Sequence, residues 1–109
     1  MKDTFLGIPF YRFYYKGDIK AVEEACHRLN YRHNDCNWIW DGVQLDGTSG
    51  SDLHTLPEFK RLFDWIDECL AFVANDIGMP NRLKINASWS NLNKTGDYFY
   101  DHTHANCFV

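Results

Sequence analysis

The hydrophobic period of this sequence changes at Gly78, and that change constrains the fold more than any other feature. Before it, Phe59, Leu62, Phe63, Ile66, Leu70, Val73 and Ile77 recur at the spacing of one helix face. After it, from Leu83 onward, Ile85, Ala87, Trp89 and Asn91 alternate with Asn86, Ser88 and Ser90, which is the two-residue period of a strand. Thr55 is placed to cap the helix and Pro57 suits its first turn, while Gly78 and Pro80 stop it.

Upstream, Ile8 to Tyr15 is aromatic and extended in character, with Pro9 excluding a helix interior and Gly17 closing the run. Asp18 then reads as an N-cap for a first helix reaching about Asn30, in which Ile19, Val22, Cys26 and Leu29 mark the apolar face. From Tyr31 to His54 the period is lost. Trp38, Trp40 and Val43 suggest a short strand there, and Asp46 to Asp52 has the composition of a loop.

Beyond the alternating segment, Asn93-Lys94-Thr95-Gly96 is a turn signal, followed by candidate strands Tyr98–Thr103 and Asn106–Val109. The order is strand, helix, loop, long helix, then strands, so the expected class is α+β. No repeat or linker divides residues 1–109, and a single domain is expected. A closed or sandwiched β core takes about six to eight strands, and about three fit after Gly78, so the β part reads as incomplete.

Composition narrows the function classes. The net charge of −4 comes from both signs mixed along the chain, with no basic run to neutralise a phosphate backbone, so nucleic acid is not an expected partner. No apolar run is long enough for a membrane helix and the N-terminus does not lead into a signal-peptide core. A cytoplasmic protein is expected. Cys26, Cys36, Cys69 and Cys107 have neither zinc-site spacing nor the density of a disulfide framework, and are read as reduced thiols.

The chemistry-bearing pattern is His102-Thr103-His104. On a strand both histidines point to one side, roughly 6 to 7 Å apart along the backbone, which lets two imidazoles converge on one ion. Tyr98 and Tyr100 share that face, and Asp101 is turned to the other. By itself a His-x-His pair also describes two ordinary surface histidines.

The surrounding segment, Ser88-Trp89-Ser90-Asn91 through Gly96-Asp97-Tyr98 to His102-Thr103-His104-Ala105-Asn106, resembles the 2-oxoglutarate/Fe(II)-dependent oxygenases of marine bacteria and their phages. Their metal segment reads Trp-x-Asn, a short turn, Gly-Asp-Tyr, then His-x-His. The related prolyl-hydroxylase-like dioxygenases also place a glycine six residues before the first iron-binding histidine, as Gly96 stands before His102. The loop from Trp38 to Leu53 and the Leu56-Pro57-Glu58 helix start look like the family's amino-terminal half. Phe99 and Ala105 depart from the pattern, where a polar residue and a proline are usual, at positions that are not ligands.

The resemblance implies two helices packed on the start of a double-stranded β-helix of jelly-roll or cupin type. It implies iron(II) as the metal, 2-oxoglutarate as cosubstrate, and hydroxylation of a substrate that no residue here identifies. His102 is then the first iron ligand. The family's second ligand is a carboxylate, so His104 implies a histidine-substituted site or a neighbour that does not ligate. Asn91 is a candidate to bind the cosubstrate, although polar residues at strand ends commonly serve turns. The family's distal histidine and 2-oxoglutarate-binding arginine come later, and no histidine or arginine follows His104. The expectation is an N-terminal portion of such an enzyme, inactive by itself.

Two other readings stand beside it. One is a non-catalytic binding or assembly module that uses an exposed strand edge, and the aromatic run Phe10 to Tyr15 gives a homo-oligomer through such edges as a secondary expectation. The other is a simple metal-binding protein using His102 and His104.

Overall fold

The computed structural model describes residues 2–31, 47, 48, 50, 52–92 and 95. The chain falls into two compact units, Met1–Leu29 with Ser51–Ser88, and Asn30–Gly50 with Trp89–Val109. Within the described residues the class is α+β, as expected.

The first unit opens with an antiparallel hairpin of β1 (Lys2–Phe5) and β2 (Ile8–Tyr11), in register Lys2↔Tyr11 to Phe5↔Ile8. Leu6 and Gly7 make the two-residue turn with φ of 50° and 79°, the left-handed pair that matches strand twist. Pro9 is tolerated because a two-stranded sheet consists of edges. The expected strand over Ile8 to Tyr15 therefore ends its ladder at Tyr11, and its partner is the polar start of the chain, where no apolar alternation announces a strand.

Past Tyr11 the chain stays extended and lies along the second helix. Tyr11 and Phe13 stack at 6.5 Å, and both meet Phe72 edge-on, at 6.4 and 5.8 Å. Tyr15 reaches Trp65 at 5.2 Å. Alternate residues of the extended segment thus descend a helix face from Phe72 to Trp65.

The first helix, α1 (Ile19–His27), begins where Asp18 Oδ1 accepts the Ala21 N–H at 3.0 Å, the capping bond foreseen from sequence. It ends at His27, short of Asn30, and Ile19 is 60% exposed, outside the apolar face assigned to it. Ala25 is buried against Leu53 and Phe59, with Val22, Cys26, Leu29, Leu56, Leu62 and Phe63 packed around them. Burial of Phe59 contributes about 1.5–3 kcal/mol.

Thr55 does not cap the long helix. Two 3-10 turns, Leu53–Thr55 and Pro57–Phe59, precede α2 (Lys60–Asp76), and the Thr55 hydroxyl donates to the Asp52 carbonyl at 2.7 Å instead. The cause is Pro57: the residue before a proline is driven out of the helical region, and Leu56 accordingly sits at ψ 135°. At its other end α2 closes as the sequence indicated. The Gly78 N–H donates to the Asn75 carbonyl and the Met79 N–H to the Ala74 carbonyl, with Gly78 at φ 72°.

After α2 the chain is extended but forms no ladder as far as Ala87. Leu83 and Ile85 are half-buried and Lys84 and Asn86 exposed, as a two-residue period requires. The period then slips, because Ser88 turns inward to bridge Asp52 and leaves Ala87, Trp89 and Asn91 on the exposed side. The face proposed for Ile85 to Asn91 is thus not a single face.

In the second unit, β3 (Gly47–Thr48) pairs antiparallel with β4 (Asn91–Leu92), so the Asp46 to Asp52 segment holds a short strand as well as a loop. The Tyr31 hydroxyl and Ser90 Oγ are 2.9 Å apart. The proposed strands around Trp38, Trp40 and Val43, Tyr98–Thr103 and Asn106–Val109 lie outside the described residues. No helix among the described residues is long and apolar enough to cross a membrane.

Asp76 joins the hairpin to α2 by accepting from Lys2 Nζ at 2.8 Å and from the Tyr11 hydroxyl. These bonds lower the Asp76 pKa, the Lys2 bond most, while the bond to Asp76 raises both Lys2 and Tyr11. The Asp76 contribution is present above the ordinary carboxylate range and is lost as pH falls through its depressed value. Those of Lys2 and Tyr11 are present below their ordinary values and are lost as pH rises through the raised ones.

Two outcomes follow from this geometry. Gly78→Ala should lower stability by roughly 1–2 kcal/mol in urea unfolding, because a Cβ would meet no atom within 4 Å and the cost is that of the left-handed backbone alone. Asp76→Asn should remove the acid-side loss of amide protection in β1 and β2, and a pH profile of hydrogen exchange identical to that of the parent would refute the linkage.

Candidate functional site

Of the residues singled out from sequence, His102 and His104 lie outside the described residues, as do Cys36 and Cys107. As donors, the two imidazoles of His102 and His104 fit ferrous iron. Asn91 is described: it is exposed in β4 and stands opposite Thr48. Among the described residues no group of three or more His, Cys, Asp or Glu side chains could hold a metal ion.

The two described histidines, His27 and His54, have local partners. His27 faces Glu23 at 3.8 Å, one turn back on the exposed side of α1. His54 is held by Ser88, whose Oγ accepts the His54 backbone N–H at 2.9 Å and lies 2.6 Å from Nδ1. The Ser88 carbonyl also accepts the Leu53 N–H at 3.2 Å. One serine therefore fixes both backbone and ring, and the ring meets Phe63 edge-on at 6.0 Å. Cys26 and Cys69 are in no disulfide; burial, then the Glu68 charge, raises Cys69, which keeps it protonated and a poor nucleophile.

His54 opens onto a cavity of about 350 Å³ in the first unit. Helical spacing brings Lys60, Phe63, Asp64 and Asp67 to one side of it, and the extended segment Arg82–Ile85 supplies the rest. Lys60 Nζ is paired with Asp64 at 2.6 Å. Phe63, Leu83 and Ile85 give the cavity apolar surface. Sequence reasoning missed this site: it treated Leu83 to Ile85 as the start of a strand face, and no local pattern signals that this segment meets Lys60, Phe63, Asp64 and Asp67.

No family model, no curated protein and no solved structure matches this chain.

Replacing Ser88 with alanine removes the partner of His54 Nδ1 and of its backbone N–H. A loss of roughly 1–2 kcal/mol in stability is expected, together with a shift and broadening of the His54 ring signals in NMR. Unchanged ring signals would show that Ser88 does not hold the ring.

Proposed function

We propose that this chain carries part of the metal site of an iron(II)/2-oxoglutarate-dependent dioxygenase. The observation that supports this reading is the segment from Trp89 to His104, in which Trp-x-Asn, Gly-Asp-Tyr and His-x-His occur in the order and spacing of that family. The α+β class and the antiparallel pairing of Asn91–Leu92 at the head of the segment agree with it.

In this reading His102 and His104 hold the metal through their imidazoles, and Asn91 stands near the start of the same segment as a contact for the cosubstrate. Iron(II), if bound there, would activate dioxygen as the oxidant, one oxygen atom going to succinate as 2-oxoglutarate loses carbon dioxide and the other to a substrate C–H bond. The protein's part is to orient the two organic molecules and exclude water. The substrate class stays open, since no residue of the segment selects a protein side chain, a metabolite or a lipid.

A second reading, a non-catalytic assembly module, is favoured by the hairpin. Leu6, Ile8 and Phe10 are 87%, 64% and 51% exposed, and among the described residues β1 and β2 pair only with each other.

Anaerobic titration with Fe(II), with and without 2-oxoglutarate, separates the readings. The dioxygenase reading expects a weak visible charge-transfer band that requires both components, and a metal affinity that falls in His102→Ala by more than the ~10–100-fold lost with an outer-shell partner. Unchanged affinity in that variant would overturn it, and a stable dimer without metal binding would favour the assembly module.

A further inference from the structure

The cavity beside His54 has a charge pattern that the dioxygenase reading does not use. Its lining holds three cations, Lys60, Arg82 and Lys84, against two carboxylates, Asp64 and Asp67. Lys60 and Asp64 neutralise each other one helical turn apart. Among the described residues, the side chains of Arg82, Lys84 and Asp67 have no hydrogen-bond or ion-pair partner. What remains is two cations separated by one residue, opposed by one half-buried carboxylate, with a surplus of one positive charge.

Apolar surface is the second component. Phe63, Leu83 and Ile85 are half-buried and line the same space, so part of the cavity wall is hydrocarbon that water covers only at a free-energy cost. The volume lies at the small end of ligand pockets. Arg82, Leu83, Lys84 and Ile85 all contribute to the lining, the cations from exposed and the aliphatic residues from half-buried positions. The ring of His54, fixed by Ser88, closes the lining beside Phe63.

We infer that this cavity binds a small monocarboxylate with an apolar body. The ligand carboxylate takes Arg82, whose planar fork matches it bidentately, and Lys84 as a point charge. The hydrocarbon body lies against Phe63, Leu83 and Ile85. Asp67 sets the selectivity: it offsets one of the two cations, so a monoanion neutralises the site, whereas a dianion leaves one negative charge over beside the Asp67 carboxylate. The inference is independent of the iron site, since 2-oxoglutarate is a dianion and the residues involved are not those of the His-x-His segment.

The test uses the full chain without added metal and follows backbone amide shifts in NMR as phenylacetate is added, with acetate and inorganic phosphate as comparison ligands. Phenylacetate should give saturable shifts confined to Phe63, Asp67 and residues 82–85, and should bind more tightly than acetate, which lacks the apolar body, and than phosphate. Arg82→Gln and Lys84→Gln, both at exposed positions, should each weaken it by about tenfold or more, as loss of a hydrogen bond to a charged group does. Asp67→Asn should bring phosphate binding up toward that of phenylacetate. The inference is overturned if phenylacetate gives no saturable shifts, if both glutamine variants bind it as the parent does, or if phosphate binds the parent as tightly.

Discussion

The first unit is organised by the contact between one long helix and an extended run of alternating aromatics. Tyr11, Phe13 and Tyr15 project on one side of the extended chain, and Trp65, Cys69, Phe72 and Asp76 share one face of α2 at helical spacing. Laying the first period along the second lets a two-stranded hairpin, marginal by itself in water, draw stability from a helix. On another side the same helix, through Leu62 and Phe63, adjoins the small core of Ala25, Leu53 and Phe59. At its N-terminal end α2 also borders the cavity, through Lys60, Phe63, Asp64 and Asp67.

The sequence was legible where local chemistry decides the structure. Asp18 caps α1, the apolar stripe from Phe59 to Val73 is half-buried or buried, and Gly78 terminates α2, because a side-chain acceptor, a 3.6-residue period and a left-handed position each act within a few residues. It was less legible where a distant partner decides. Lys2 to Phe5 has no strand signature, and becomes one through pairing with Ile8–Tyr11. Trp65, Cys69 and Phe72 form a second helix face that a single stripe conceals. The expected Thr55 cap yielded to the backbone restriction imposed by Pro57, and the alternation after Leu83 yielded to one inward serine, Ser88.

The candidate sites divide in the same way. His102, His104 and Asn91 come from a motif, which carries chemistry in the order of its residues and can be read without coordinates. The cavity depends on Lys60 and Asp67 approaching Arg82 and Lys84 from another part of the chain, a relation that no local pattern encodes. Ser88 shows how much such a relation can rest on one side chain, since it sets both the path of the chain at Leu53 and the placement of the His54 ring.

Lys2 and Tyr11 are cross-strand partners at the open end of the hairpin, and both donate to the same Asp76 carboxylate. A hairpin is closed covalently at its turn and ordinarily frays from the other end. Here the carboxylate shuts that other end, so the eight paired strand residues lie within a ring that is peptide at Leu6-Gly7 and ionic at Asp76. The hairpin is thus clasped at both ends: its strands cannot part at the open end without breaking both bonds to one acceptor anchored on a helix.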